Sequence, residues 1–349
     1  MKYIRITLAL LACCMVSGCI AGENGGTEKV IPEDLVTEGS VSDNVVSGQD
    51  LEEEASLENT DGEAAAEIAP EEGEQSSEET VWPEQTISDA GEVVYGHNEY
   101  TCEACGEELF AYYTESVIFS TEVIPCAEQI NEILQEGMEN DIQLSENSLE
   151  RFLEGHQSEI DAEGQESLCD RYHYGDMEFF MDYFTGATQY VFEREGEEDQ
   201  YLCMEVDFEG YGYWGGVHGM PFKETNLFDL NDGSIVSVGD ILNISEEEYR
   251  TLVAEYTVED FREDGEKYFI YEEDSIYEFV DNFVGFDFLM HFSEEGIVIE
   301  YSPYELGSFG AGFIPITIPY EELGIRLVDV YGVDVTPSDG EYFIDMSRF

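Results

Sequence analysis

Phe286 to Tyr301 has the sequence FDFLMHFSEEGIVIEY, and this stretch decides the fold class. Apolar residues alternate along its first half, the letters SEEG follow, and Ile297, Ile299 and Tyr301 alternate along its second half. Alternation with a period of two is typical of strands with one buried face, and a short polar connection with glycine is typical of a hairpin. The stretch therefore predicts two antiparallel strands. The first would place four side chains on one face: Phe286, Phe288, Met290 and Phe292.

Other parts of the chain predict further strands. NLFDLNDGSIVSV, residues 226–238, predicts a second hairpin in which Gly233 supplies the positive φ of a tight turn. The segment from Asp229 to Asp240 has the length of an EF-hand loop, but its glycine stands at the fifth place rather than the sixth, which favours the hairpin. Five more segments alternate in the same way: LFAYYTESVIF, MEFFMDYF, TQYVFER, QYLCMEVDF and FIPITI.

Helices are expected at fewer places. Ser245 and Glu248 form a capping-box pattern ahead of apolar residues at helical spacing. Residues 125–138 and 274–284 show the same spacing, and residues 145–167 form a polar, Glu-rich helical stretch. Mostly antiparallel strands with a few covering helices predict an α+β domain, and the order of the elements also allows two lobes that share a sheet.

The N-terminus resembles that of bacterial lipoproteins. Residues 1–18 combine two basic residues with an apolar core too short to span a bilayer, and VSGC resembles a lipobox that ends at Cys19. We expect a mature chain that begins at a palmitate-bearing Cys19 on the extracytoplasmic face of the cell membrane; a secretory signal without lipidation is the alternative. Residues 19–94 are expected to form a disordered acidic tether, residues 95–335 the folded domain and residues 336–349 a tail.

Charge restricts the class of partner. The chain has 82 acidic and 12 basic residues, which gives a formal net charge of −70. Nucleic acid is an improbable partner for it, because binding to phosphates requires clustered basic side chains. A field of this sign attracts cationic proteins or peptides, whereas solubility or a salty habitat would explain the same charge without a partner.

The motifs of metal sites and of catalysis are absent. CEACG at residues 102–106 is half of a zinc ribbon, but no second CxxC or HxxxH accompanies it, and neither a cofactor nor a metal is predicted. With 82 acidic residues in the chain, no single pair of carboxylates can be identified as a catalytic acid and base. For an exported chain we expect disulfides, at most two of them, among five cysteines of open connectivity: Cys102, Cys105, Cys126, Cys169 and Cys203.

Two aromatic segments are the candidate binding site. In YWGGVHG, His218 could satisfy a turn, touch a ligand or do chemistry. In YSPYELGSFGAGFIPITIP, residues 301–319, the interruption between two strands has three explanations. Its glycines could provide backbone freedom, its aromatic residues could close the end of the core, or Tyr304 and Phe309 could be anchors for a partner. The predicted partner-binding residues are Trp214, His218, Pro303, Tyr304, Glu305 and Phe309.

These segments resemble the extracellular domain of the RsiV-like family, which occurs in anti-sigma factors, beside some polysaccharide deacetylases and in Gram-positive lipoproteins. The resemblance covers about residues 105–330 and implies an α+β fold and recognition of lysozyme. No cytoplasmic sigma-binding segment or deacetylase metal triad accompanies it here, so a non-catalytic sensor of a cationic, lysozyme-like partner is expected. A peptidoglycan hydrolase or deacetylase accessory protein is the alternative. The residues that carry the resemblance are Gly215, Gly216, His218, Asp229, Gly233, Asp240, Pro303, Tyr304, Glu305, Gly310 and Gly312.

Overall fold

A computed structural model describes residues 83, 85–102, 106, 108–163, 178–214, 218–270 and 272–337. The predictions for the export signal, for Cys19 and for most of the tether and tail lie outside these residues. The strands of the described part are Gln85–Thr101 (β1), Glu108–Phe119 (β2), Glu178–Arg194 (β3), Gln200–Trp214 (β4), Met220–Asp229 (β5), Ile235–Val236 (β6), Met290–Phe292 (β7), Gly296–Tyr301 (β8), Ile314–Pro319 (β9) and Ile325–Thr336 (β10). Its α-helices are Ala127–Glu163 (α1), Val238–Ile241 (α2), Glu246–Glu263 (α3) and Glu273–Phe283 (α4).

The strands form two separate sheets, and the α+β class is confirmed. The large sheet has the order β10-β1-β2-β3-β4-β5-β6, and an additional pairing of β10 with β3 closes its first four strands into a ring. The small sheet has the order β7-β8-β9. Most pairings are antiparallel, whereas β1 with β10 and β2 with β3 are parallel. No described strand belongs to both sheets. The expectation of two lobes that share one sheet stays a prediction.

The first strand begins ten residues before the expected start of the folded part. Residues 85–87, 91 and 92 pair with β10, with an irregularity between Ile87 and Gly91, and Gly91 to Thr101 pair with β2. Composition alone could not reveal this strand, because the segment is polar and gains its order from hydrogen bonds to a partner more than 200 residues away. The folded part therefore reaches back to at least Gln85.

Helix α1 joins two stretches that the sequence presents separately. Ala127, Ile130 and Leu134 pack into the core over the large sheet, and farther along the helix Phe152 lies 6.1 Å from the ring of Phe110 in β2. Apolar contacts near the start of the helix and at Phe152 thus flank its polar middle. The helices predicted at 125–138 and from 145 onward are confirmed as one helix of 37 residues.

The predicted strand FDFLMHF is only partly a strand. Residues 286–289 form turns, and β7 begins at Met290. Phe286 packs 5.2 Å from the ring of Tyr249 in α3 and fills the space where a side chain at Gly239 would stand. Packing of this half-buried ring against the helical layer favours the turn over continued alternation, so the one-face arrangement holds for Met290 and Phe292 alone.

Helix α3 starts as its sequence predicts. The Ser245 side chain accepts a hydrogen bond from the Glu248 amide, and Glu248 Oε2 accepts one from the Ser245 amide at 2.9 Å. The predicted third helix is confirmed as α4. Both helices share one apolar core with the small sheet and with Tyr190 and Phe192 of β3. This core supports the segment that connects β8 to β9.

The 226–238 hairpin is confirmed, and the disulfide expectation is revised. Leu227 pairs with Val236, and Gly233 has a φ of 78°.

Cys126 and Cys203 are free thiols, and Cys203 is fully buried. Since these two of the five cysteines are unbridged, two disulfides cannot form among the five. Cys105 and Cys169 lie outside the described residues.

Candidate functional site

The segment 302–313 between β8 and β9, named here the aromatic loop, is ordered by its own hydrogen bonds. The Ser302 amide donates to Glu305 Oε2 at 2.6 Å, and the Tyr304 amide donates to the Gly307 carbonyl at 3.1 Å. Ser308 caps a short 3-10 helix from Phe309 to Ala311, and the following Gly312 has a φ of 68° with a ψ of −150°. That conformation is essentially restricted to glycine, so one glycine of the loop does serve backbone freedom.

Tyr304 has an unusual backbone and an exposed side chain. Its φ is 73°, in the left-handed region that residues with a side chain seldom adopt, and 49% of its surface is exposed. Positive φ in a bulky residue is an outlier that persists only where the surroundings enforce it, and such outliers cluster at functional sites. Because half of the Tyr304 surface is exposed, burial in the core does not account for this backbone conformation.

His218 holds Tyr304 from the connection that precedes β5. Its Nδ1 lies 3.0 Å from the Gly219 carbonyl oxygen, and its Nε2 lies 3.0 Å from the Tyr304 hydroxyl. A carbonyl oxygen only accepts, so Nδ1 carries the proton; in the uncharged ring Nε2 then accepts, and the tyrosine hydroxyl donates. Both ring nitrogens are thus engaged within the protein. The expectation that His218 satisfies a turn and the expectation that it belongs to the site are compatible.

Three rings form one cluster at the surface. The His218 ring stacks on Phe309 at a centroid distance of 3.8 Å, and Tyr304 lies 6.1 Å from His218 and 6.0 Å from Phe309. His218 is exposed and Phe309 is half-buried. Rigid aromatic rings with polar tips are the side chains most enriched in binding hot spots. We call Tyr304, His218 and Phe309 the aromatic cluster.

The other predicted site residues have different positions. Pro303 is buried beneath the loop, and Glu305 uses its carboxylate to cap the Ser302 amide. Trp214 ends β4 opposite Glu178, but its side chain is outside the described part, as are Gly215 and Gly216. The structure therefore brings together three of the six predicted residues, and it gives Pro303 and Glu305 roles in shaping the loop.

A buried ionic network that sequence reasoning missed lies under the loop. Lys223 Nζ of β5 is 2.8 Å from Glu300 Oε1 of β8 and 4.8 Å from the centre of the Phe313 ring. The Glu300 side chain is only 7% exposed, and His291 Nδ1 stands 3.8 Å from its other oxygen. Lys223 thus contacts Glu300, two residues before the aromatic loop, and Phe313, the last residue of the loop. The sequence signal that could have indicated this network is Lys223 itself, because the chain has only 12 basic residues and this one stands among aromatic residues of a strand.

Two more acids extend this network along β4. Glu205 and Asp207 point to the same face of the strand, and Asp207 accepts a hydrogen bond from the Thr225 hydroxyl at 2.8 Å. Burial raises the pKa of Asp207 to about 6 and raises the pKa of Glu205 well above its ordinary value. Burial also lowers the pKa of His291, although Glu300 opposes that effect. The alternating acids in MEVDFE were the missed signal.

Among the described residues, no cluster of three or more His, Cys, Asp or Glu side chains has an arrangement that could hold a metal ion. Within the same residues, no helix combines the length and the apolar character that crossing a bilayer requires.

An α+β domain with an ordered aromatic loop is therefore the class that fold and site define. No protein-family model matches the chain, and no curated protein matches it. Two solved structures, both described as DUF3298 family proteins, are similar to parts of it. The one from Bacteroides fragilis NCTC 9343 has 13% identity and a TM-score of 0.39, over 69% of this chain and 94% of its own. The one from Pseudomonas aeruginosa PAO1 has 15% identity and a TM-score of 0.35, over 69% of this chain and 96% of its own.

Proposed function

We propose that this protein is a non-catalytic receptor that docks a cationic protein onto its aromatic cluster. The observation that carries the proposal is Tyr304, an exposed ring presented from a left-handed backbone and fixed by a hydrogen bond to His218. A partner that meets a preformed ring loses less conformational freedom on binding than one that must order a loop. The face of an aromatic ring attracts lysine and arginine side chains.

The distribution of charge supports a cationic partner. The net charge is −70, and Arg151 donates hydrogen bonds to Asn147 and Ser148 of its own helix. The other bases of the described part each pair with a carboxylate of the same chain: Arg194, Lys223, Arg250, Arg262, Lys267 and Arg326. These pairs neutralise the positive charge locally, so the excess acids dominate the field that an approaching protein meets.

The proposal includes an extracytoplasmic position through acylated Cys19 and a basic, wall-active partner of the lysozyme type, as the resemblance to the RsiV-like family implies. A hydrolase role for His218 has less support, because both of its ring nitrogens are already hydrogen-bonded. Metabolic labelling with palmitate tests the anchor: label should enter the wild-type protein and should be absent from a Cys19→Ser variant. Equal labelling, or none in either, contradicts the lipid anchor without touching the binding site.

Binding is tested by titration calorimetry of the chain from residue 20 onward with lysozyme. We expect saturable binding that weakens as salt is added, because screening reduces the attraction between opposite charges. Tyr304→Ala should abolish the signal. Tyr277→Ala is the matched control, since Tyr277 is an exposed tyrosine of α4, outside the aromatic loop. No heat with the wild-type protein at low salt rejects lysozyme as the partner, and equal losses in both variants reject the aromatic cluster as the site.

A further inference from the structure

Tyr304 and His218 lie side by side and form one surface. Their ring planes differ by only 19°, their ring centroids are 6.1 Å apart, and the Tyr304 hydroxyl lies 3.0 Å from His218 Nε2. Because the polar edges of the two rings meet at hydrogen-bond distance while the centroids are much farther apart, neither ring covers the other. We call the joined faces of Tyr304 and His218 the ring platform.

Phe309 covers one side of the ring platform. Its ring stacks on His218 at a centroid distance of 3.8 Å, with 19° between the two planes. His218 is nevertheless exposed, and Tyr304 is 49% exposed. Since Phe309 covers one face of the His218 ring and both ring nitrogens are hydrogen-bonded, the exposed area belongs to the opposite face. The ring platform therefore has one supported face and one open face.

The large sheet holds the ring platform in position through Gly219. The carbonyl oxygen of Gly219 lies 3.0 Å from His218 Nδ1, and its amide donates to the hydroxyl of Tyr211 in β4 at 2.9 Å. Tyr211 packs so closely that a Cβ at Gly219 would stand 2.4 Å from its ring. Both backbone groups of Gly219 are thus fixed, and His218 is fixed with them. A ligand that stacks on the ring platform does not have to order it first.

The bases of this chain contact other rings. Within the described residues, the cation–π contacts use the rings of Tyr201, Phe313 and Tyr268, and none uses the ring platform. Lys223, the base next to the aromatic loop, lies over Phe313 and pairs with Glu300 at 2.8 Å. The described part of the chain therefore places no cation of its own on the open face.

The shape and the charge of the site together select the chemical group that stacks there. The guanidinium of arginine is planar, delocalised and weakly hydrated, and it stacks on aromatic faces, whereas the ammonium of lysine is a compact and strongly hydrated charge. A sugar ring also stacks on aromatic side chains, but a neutral sugar gains nothing from the net charge of −70. A planar cation gains from both the flat surface and the acidic field.

We propose that the ring platform receives one arginine side chain of the partner, with its guanidinium stacked flat on the open face of Tyr304 and His218. The proposal rests on the proposed function for the location of the site, and it deepens that function by naming the group that the site recognises. Arginine and lysine carry the same charge. A preference for arginine therefore separates stacking on the rings from attraction by charge alone.

An NMR titration of the full chain tests this inference. Capped tetra-arginine and capped tetra-lysine are added in separate titrations at one ionic strength, and the ring proton signals of His218 are followed. The chain has only five histidines, and loss of one set of signals in His218→Asn identifies those of His218. We expect the signals to shift with both peptides, with a dissociation constant about three- to tenfold lower for tetra-arginine, because the acidic field acts equally on both and only the guanidinium stacks.

Two substitutions locate the preference. Tyr304→Leu keeps an apolar side chain and the net charge but removes one ring of the platform, so the two peptides should bind it equally. Tyr277→Leu is the matched control, because Tyr277 is an exposed tyrosine of α4 outside the aromatic loop, and it should keep the preference of the wild type. Equal affinities of the wild type for the two peptides overturn the proposal, and so does an unchanged preference in Tyr304→Leu.

A further measurement needs no substitution. In the wild-type complex with tetra-arginine, nuclear Overhauser effects should connect the arginine δ-methylene protons to the ring protons of Tyr304, and their absence overturns the proposal. Shifts of the His218 signals with the neutral sugar cellotetraose, without shifts from tetra-arginine, would overturn it in favour of a glycan. None of these readouts involves lysozyme. A preference for arginine without lysozyme binding therefore rejects the partner named above and leaves this inference standing, whereas lysozyme binding without the preference rejects this inference alone.

Discussion

Replacing Tyr304 by glycine and by alanine separates its backbone from its ring. A left-handed conformation costs a residue with a side chain about 1–2 kcal/mol, and it costs glycine almost nothing. At ordinary positions glycine is instead roughly 0.5–1 kcal/mol less stable than alanine. Because φ at Tyr304 is 73°, we expect this order to invert, with Tyr304→Gly more stable than Tyr304→Ala by about 1 kcal/mol.

The same structure limits the loss relative to the wild-type protein. Both variants lose the hydrogen bond to His218, which contributes about 0.5–1.5 kcal/mol, and the ring is half exposed, so little apolar burial is lost with it. In Tyr304→Gly the relief of strain offsets this loss, and the variant should remain within about 1 kcal/mol of the wild type. Both variants should nevertheless lose partner binding completely.

Urea unfolding measures these differences, and calorimetry with lysozyme measures binding. The expected gap between the two variants corresponds to a difference in melting temperature of about 2–4 °C for a domain of this size. If Tyr304→Ala is more stable than Tyr304→Gly, the left-handed backbone at this position carries no measurable strain. A loss above about 3 kcal/mol in either variant would mean that the ring closes the core, which is the structural explanation of the loop.

Three further substitutions test the core around the site. The Thr257 hydroxyl donates to a backbone carbonyl, so the buried Tyr301 hydroxyl must donate to the Thr257 oxygen. Thr257→Val should lower the free energy of unfolding in urea by about 1–3 kcal/mol, and adding Tyr301→Phe should recover most of that loss. Losses that simply add in the double variant would contradict this hydrogen bond. Lys223→Met should lower stability by about 3 kcal/mol because Glu300 stays buried without its partner, and a loss below 1 kcal/mol by the same assay would contradict the network. Ser245→Ala should lower the melting temperature by an amount equivalent to about 1 kcal/mol through loss of the helix cap, and no change would contradict it.

Local chemistry in the sequence predicted those features that depend on neighbours along the chain. The cap of α3 and the turn at Gly233 follow from side chains within four residues of one another. Aromatic residues beside glycines, together with the resemblance to the RsiV-like family, also singled out Tyr304, His218 and Phe309. Their mutual contact spans 86 residues, and nothing local indicated which nitrogen of His218 would meet Tyr304.

Features that depend on distant partners were missed. The polar start of β1 is ordered by β10, and Phe286 leaves its expected strand because helix α3 and Gly239 offer its ring a better place. The buried acids were hidden by number: among 82 acidic residues, Glu205 and Asp207 differ from the rest only in where the fold places them. Burial of a charge is a property of the assembled sheets, and the alternating acids of MEVDFE could not by themselves show which face of the strand would be covered.

The strained backbone at Tyr304 and the buried charges near the aromatic loop both need stabilisation from the rest of the fold. Each costs folding free energy, and each persists only if the surrounding structure stabilises it by more than that cost. The hydrogen bond from Tyr304 to His218, the tie from Lys223 to Glu300 and the contact of Glu205 with β7 supply that stabilisation from three directions. A loop that served only to connect β8 to β9 could relax with glycine at position 304. The proposed docking function would account for this support, because a binding surface gains affinity from fixed geometry.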